Sequence, residues 1–234
     1  MYKRQRSARG VTRRANSVWP NADGALVTLD QKLAVVERYY AALGQQAIFQ
    51  ICAAAQPAAL DTLLDQRGYA IDAPTHVQTA AIAQVMAHLP PQQVGHHADI
   101  EISRTFDRDW FALYCACEEV GEAAASVRRA ILERIQPTHG FALLRRAGEP
   151  IAVGLGVVED GWLGIFCMAT LPAYRRQGAA GAILHSLAAW SHSFAAKNAY
   201  LQVMVNNHGA QQMYAKAGFV TAYDYHYRVG KETQ

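Results

Sequence analysis

The stretch Met168-Ala-Thr-Leu-Pro-Ala-Tyr-Arg-Arg-Gln-Gly-Ala-Ala-Gly181 holds residue types suited to binding a charged ligand. An apolar strand is expected to end at Thr170, because Pro172 has no N–H with which to continue a ladder. A cationic loop, Arg175-Arg176-Gln177, leads into Gly178, Ala179, Ala180 and Gly181, where side chains are small or absent and a ligand can approach the backbone. If these residues open a helix, its first amides lack carbonyl partners and its dipole presents the positive end. Such a turn suits a pyrophosphate. The same residues also fit a plainer role, close helix–sheet packing beside two solvated arginines. The loop has neither the Gly-x-Gly-x-x-Gly of a dinucleotide fold nor the Gly-Lys-Ser/Thr of a nucleotide P-loop.

Two blocks carry a family resemblance. Arg175-x-x-Gly178-x-Ala180 resembles the Gln/Arg-x-x-Gly-x-Gly/Ala signature of the GNAT superfamily of N-acetyltransferases, and Thr170-Leu-Pro-Ala-Tyr-Arg175 resembles its lead-in. About 26 residues beyond Gly181, Asn207-His-Gly-Ala210-Gln-Gln-Met-Tyr214-Ala-Lys-Ala-Gly-Phe219 is similar to the family's Asn-x-x-Ala-x-x-Leu-Tyr-x-x-x-Gly-Phe block. The similarity spans roughly residues 98 to 229. It implies an enzyme that uses acetyl-CoA as cosubstrate, without a metal, to acetylate a primary amine by direct attack on the thioester. It also implies roles. The amides of Arg176, Gln177, Gly178, Ala179, Ala180 and Gly181, with Arg175 and Gln177 nearby, would hold the CoA pyrophosphate. Met168, Ala169 and Thr170 would offer backbone groups to pantetheine, and an N–H at Ala169 or a neighbour would stabilise the oxyanion. Asn207 would touch the pantetheine arm and start the next helix, and Tyr214 would protonate the leaving thiolate. Read alone, Tyr214 is equally an ordinary half-buried aromatic at helical spacing from Ala210 and Ala217.

For the proton that the amine must lose, Glu159 and Asp160, which follow a central strand, are candidates, as are Glu118, Glu119, His139 and His226; the residues assign no base. The acceptor is not legible. Tyr223, Tyr225 and Tyr227 alternate on the last strand, where they would line a pocket or pack across strands.

The elements that must position these groups read as a mixed α/β (α+β) fold, a GNAT-type central sheet flanked by helices and preceded by a partial GNAT-like half. Asp109 to Ile135 reads as two helices parted near Gly121. Strands follow at Phe141–Arg146, Ile151–Val158 and Leu163–Ala169, then a helix from Gly178 to Lys197, a strand at Tyr200–Val205, a helix at Gly209–Ala217 and a strand at Phe219–Val229. Upstream, Leu29–Ala42 reads as a helix capped by Asp30 and stopped by Gly44, Ile48–Ile51 as a strand, and Pro57–Gln66 as a helix closed by Gly68. Tyr69–Ala80 reads as strand interrupted at Pro74, and Gly10–Pro20 as a further strand. Pro90-Pro91 marks the seam, giving a degenerate region at 1–92 and a catalytic domain at 93–234. Tyr40-Ala-Ala-Leu-Gly44 echoes Tyr214-Ala-Lys-Ala-Gly218, which suggests a tandem origin for the first half, with the chain starting partway through that fold.

Composition is that of a globular protein: 234 residues, 51% hydrophobic and 18% charged, with no apolar run long enough for a membrane helix. The net charge of +3 comes from Lys3, Arg4, Arg6, Arg9, Arg13 and Arg14; the remaining chain is net acidic, which disfavours nucleic acid as a partner. Cys52, Cys115, Cys117 and Cys167 have no metal or redox spacing and are expected as free thiols of a cytoplasmic protein. A homodimer is left open. The competing reading is a catalytically silent CoA-binding sensor or regulatory protein, against which the presence of Tyr214 and Asn207 argues.

Overall fold

The computed structural model describes residues 6–21, 27–89 and 98–231. In chain order the elements are α1 (Leu29–Ala41), β1 (Ile48–Cys52), α2 (Leu60–Gln66), β2 (Ala70–Ala81), α3 (Ile82–His88), β3 (Ala98–Ser103), α4 (Arg108–Cys117), α5 (Glu122–Leu132), β4 (Thr138–Arg146), β5 (Glu149–Glu159), β6 (Trp162–Thr170), α6 (Ala179–His192), β7 (Asn198–Met204), α7 (His208–Lys216) and β8 (Val220–Val229). They form two compact units, one running to His76 and resuming at Tyr223, the other spanning Val77–Ala222. The seam expected at 92/93 lies outside the described residues, as do Lys3, Arg4, Pro90 and Pro91.

In the first unit, α1 begins with a capping box. Thr28, in extended backbone, accepts from the Gln31 amide, and the Gln31 side chain accepts from the Thr28 amide. Thr28 therefore replaces the expected cap Asp30, which sits inside the first turn and pairs with Arg67 at 2.5 Å. Leu33, Val36 and Tyr40 are buried with Phe49, Ile51, Leu60 and Leu64. The strand expected at 10–20 is not formed. The segment carries a 3-10 turn at Arg13–Ala15 and a single bridge from Val18 to Phe49. Asn16 explains this, because its side-chain oxygen accepts from the amides of Ala8 and Gly10 while its nitrogen donates to the carbonyls of Val11 and Thr12. Those backbone groups are no longer available for a ladder. Nor is β2 interrupted at Pro74, since Ala73 takes a positive φ of 44° that absorbs the kink within the strand. β1 pairs antiparallel with β8 from Ile48↔Val229 to Cys52↔Tyr225. Tyr225 and Tyr227 are buried with rings 5.4 Å apart, a packing role, whereas Tyr223 is half exposed.

The second unit is a mixed sheet covered on both faces. β3, β4, β5 and β6 form an antiparallel meander, and α6 crosses over so that β7 runs parallel to β6. α6 buries Ile183, Leu184 and Leu187 against one face. α4 buries Trp110 and Leu113 against the other, with Asp107 capping its start by accepting from Trp110 N at 2.9 Å. Gly121 caps α5, so the parting of the two helices lies where the sequence suggested. Two elements have no counterpart in the sequence reading, α3 and β3; seven and six residues carry too little periodicity to stand out. α6 also stops at His192, five residues short of the expected end. Ala195 there adopts a φ of 59°, and Ala196 N returns to the Ser191 carbonyl, a glycine-type stop made without glycine. Among the described residues no helix is long and apolar enough to cross a membrane, and all four cysteines are free thiols.

Candidate active site

The site begins with a phase error in β6. Leu163 and Ile165 face the α6 side, as alternation requires, but Phe166 and Cys167 both face the α4 side, and Met168 returns to the α6 side. A bulge at Cys167, whose φ is 50°, produces this shift, and the pairing with β5 jumps between Val153↔Ala169 and Leu155↔Phe166. Opposite the bulge stands Gly154, where a Cβ would come within 2.5 Å of Ile183 and 2.7 Å of the Met168 sulfur. The Gly154 carbonyl accepts from the buried Trp110 indole N–H at 3.0 Å, tying α4 to β5 opposite the bulge. On its other edge β6 pairs with β7 only over Trp162↔Asn198 to Ile165↔Leu201. Among the described residues the parallel register with β7 runs no further than Ile165, and Met168, Ala169 and Thr170 lie past its end.

A 3-10 turn at Pro172–Tyr174 follows, and the chain enters α6 through Arg176 at φ 60° and Gly178 at φ 85°. The left-handed Gly178 turns six consecutive amides, Arg176 to Gly181, into one concave run. None of them donates to another group among the described residues, and the first α6 hydrogen bond is Ala182 N to the Gly178 carbonyl. Arg175 Nε is fixed on the Thr170 carbonyl at 3.2 Å. Gln177 donates to the Ala173 carbonyl at 2.9 Å and accepts from Arg146 at 2.8 Å. Arg146, which the sequence reading left as a plain strand residue, also lies over the Tyr174 ring at 5.2 Å, so three arginines border the loop.

From β7, Asn207 caps α7 by accepting from Ala210 N at 3.1 Å. The end of α7 explains the spacing Tyr-x-x-x-Gly-Phe. Gly218 at φ 90° sends its N–H to the Ala215 carbonyl, Phe219 N returns to the Tyr214 carbonyl, and the two rings pack edge-on at 5.8 Å. This is a Schellman stop with its apolar clasp, and it fixes the Tyr214 ring. Tyr214 is 7% exposed, its hydroxyl has no hydrogen-bond partner among the described residues, and burial pushes its pKa up to about 12.

The sequence profile of a family described as "Probable histone acetyltransferase Rv0428c C-terminal" matches residues 4–228. The chain belongs to that family. It is similar to the "Uncharacterized N-acetyltransferase YobR" of Bacillus subtilis strain 168, at 28% identity over 221 residues, covering 94% of this chain and 86% of that protein. Its fold is similar to a functionally unknown conserved protein from Staphylococcus epidermidis (TM-score 0.72, 12% identity, 95% and 87% of the two chains). A GCN5-related N-acetyltransferase from Kribbella flavida is similar too (TM-score 0.68, 16% identity, 92% and 79%). By family and fold this is an acetyltransferase of the GNAT type.

In this GNAT-type chain the base candidates scatter. Glu159 and Asp160 form the β5–β6 hairpin, and Glu159 pairs with Trp162, six strand residues or roughly 20 Å from Met168, so neither reaches it. His139, held by the Pro137 carbonyl at 2.9 Å, lies near that same end, since its partner Val157 pairs with Gly164. His226 is in the other unit, bound to Asp61 at 3.1 Å. Glu119 is exposed at a φ of 50° just past α4. Glu118 is exposed at the end of α4, its charge felt by its helix neighbours Tyr114 and Cys117. The sequence missed a cluster on that side. The Tyr114 hydroxyl lies within hydrogen-bonding reach of the Cys167 thiol at the bulge and accepts from Arg128 at 2.7 Å. Among the described residues no group of three His, Cys, Asp or Glu is placed to hold a metal ion.

Proposed function

We propose that the protein transfers an acetyl group from acetyl-CoA to a primary amine by direct attack on the thioester. The observation that supports this is the run of six unpartnered amides, Arg176 to Gly181, beyond the end of the β6–β7 register and bordered by Arg146, Arg175 and Arg176. A pyrophosphate is the group such a run suits, because each amide brings a donor without desolvating a competing acceptor. Acetyl-CoA would supply the activated acetyl group. Met168–Thr170 would pair with the amides of its pantetheine arm in the manner of a missing strand, with Asn207 on the opposite lip. The N–H groups that the Cys167 bulge redirects would face the thioester oxygen as negative charge develops. Tyr214, neutral well above physiological pH, is the acid closest in kind to what a departing thiolate needs. Burial also raises the Cys115 and Cys117 thiols, which keeps them poor nucleophiles and favours direct attack over an acyl-cysteine route.

Calorimetric titration with acetyl-CoA tests the reading. Wild type is expected to bind in the micromolar range. Gly178→Ala strains the same φ of 85° without adding charge, whereas Gly178→Asp adds a carboxylate against the pyrophosphate. The aspartate is expected to weaken binding at least about tenfold more than the alanine, the size of one lost charge-assisted contact. No binding by wild type at millimolar acetyl-CoA would sink the proposal. Binding without turnover on any amine would favour the silent CoA-binding alternative.

A further inference from the structure

Arg128 and Arg129 are neighbours on α5 with opposite circumstances. Arg129 is exposed, pairs with Glu133 at 2.8 Å and lies over the Phe106 ring. Arg128 turns toward the sheet and has no carboxylate partner among the described residues; Glu118 makes no ion pair with it. Its Nη1 donates to the Tyr114 hydroxyl at 2.7 Å, and its guanidinium lies 5.6 Å from the centre of the Tyr114 ring. Its Nε is shut from solvent with no acceptor, and the other terminal nitrogen has no partner among the described residues. A donor buried without an acceptor costs free energy, and a half-buried cation without an anion costs more.

The arginine is also held rigidly. Tyr114 stacks on Trp110 at 5.5 Å with planes 23° apart, and Trp110 is fixed by its bond to Gly154 opposite the bulge. The Tyr114 hydroxyl touches Cys167, the bulge residue that immediately precedes Met168. An unsatisfied cation is thus placed beside the strand segment assigned above to the thioester, on the α4 side, away from the pyrophosphate loop.

We propose that the acceptor is a carboxylate-bearing amine of the amino-acid class, whose carboxylate is recognised by the unpartnered Nη2 of Arg128, oriented by Tyr114. A carboxylate oxygen at Nη2 would make a charge-assisted hydrogen bond and supply the anion that this half-buried cation lacks. A polycationic acceptor, such as a lysine-rich peptide or a polyamine, would instead bring like charge to Arg128. The inference rests on the acetyl-transfer reading, and its test separates the two.

The measurement compares free L-amino acids with their C-terminal amides and with a lysine-rich peptide. It follows thiol release from acetyl-CoA, with calorimetric binding of the same compounds to the CoA-saturated protein. Wild type is expected to prefer at least one acid to its amide by tenfold or more in kcat/KM. Arg128→Gln should lower that value for the acid by about 10- to 150-fold, the worth of a hydrogen bond to a charged group, and leave the amide unchanged. Arg128→Lys should recover part of the preference. Tyr114→Phe keeps the ring but frees the guanidinium, so it should raise KM for the acid several-fold with little change in kcat. It carries the test should Arg128→Gln fail to fold by thermal melting. Amides or the peptide used as well as the acids, an acid preference that survives Arg128→Gln, or no acid bound or acetylated would each overturn the proposal. Absence of acetyl-CoA binding would overturn both readings; binding without an acid preference overturns this one alone.

Discussion

Burial pushes the Tyr214 hydroxyl up to about 12, so the residue stays protonated across the range in which an amine acceptor loses its proton. Full transfer to a thiolate of ordinary basicity, near 8.5, would be uphill by more than three pKa units, about 5 kcal/mol. The same dry surroundings raise the thiolate's own affinity for a proton, which narrows the mismatch. Tyr214→Phe is therefore expected to lower kcat by about 10²-fold while leaving acetyl-CoA binding within about twofold, as read by calorimetry and steady-state kinetics. The folded value is raised, so this tyrosine's contribution to stability is complete below pH 10 and is lost as pH rises through about 12. An ultraviolet titration of tyrosinate in wild type and variant should show one fewer high-pH ionisation in Tyr214→Phe. A Tyr214 transition near 10 would remove the physical basis for this assignment.

At the scale of elements, capping decides most of what the helices present to the site. Three helices share one Schellman stop: Gln45 N returns to Tyr40, Tyr69 N to Leu64 and Phe219 N to Tyr214, each around a left-handed glycine. The echo between Tyr40–Gly44 and Tyr214–Gly218 is therefore a local way of ending a helix, which α2 uses as well, and needs no shared ancestry to explain it. At Gly218 a Cβ would meet Gln84 at 2.9 Å and His88 at 3.0 Å, besides the strain of a φ of 90°. Gly218→Ala should cost about 1–2 kcal/mol from the left-handed conformation alone and lower the melting temperature by several degrees. Because the stop also aims Tyr214, kcat should fall with it; a variant that melts early yet turns over normally would uncouple the two. Trp110→Phe keeps a ring over the sheet but strips the Gly154 carbonyl of its donor. Its expected cost is about 1–3 kcal/mol, read as a lower denaturant midpoint.

At the scale of the whole molecule, the core of the first unit is clamped by charge as well as by apolar packing. Arg228, with a side chain 7% exposed, donates to Asp61 at 2.7 Å, to Asp65 at 2.6 Å and to the Tyr69 carbonyl at 3.1 Å. Burial alone would raise the Asp61 carboxyl, but hydrogen bonds from Arg228 and His226 outweigh it and hold the group below its usual 3.8. A depressed carboxyl contributes stability that is present above its ordinary value and lost as pH falls through the folded one. Asp61→Asn should lower the melting temperature at pH 7 by a few degrees and lose less than wild type on going from pH 4 to pH 3. Equal acid sensitivity in the two proteins would exclude Asp61 as the responsible carboxylate.

The sequence by itself determined the elements whose causes are local. Small residues and arginines at 175–181, the Asn207 cap and the Tyr214–Phe219 stop are written in consecutive residues, because capping and left-handed turns depend on neighbours a few positions apart. The same holds for the β4–β5 hairpin at Ala147-Gly148. What only the tertiary structure decided depends on pairing over long separations. The Cys167 bulge exists only against Gly154, the end of the parallel register only against β7, and the distance that removes Glu159 and Asp160 only along the folded strand. Arg146 and Arg128 were invisible for the same reason: nothing within a few residues of either distinguishes it. Each gains its meaning from a group brought across the fold, Gln177 for one and the Tyr114–Cys167 pair for the other.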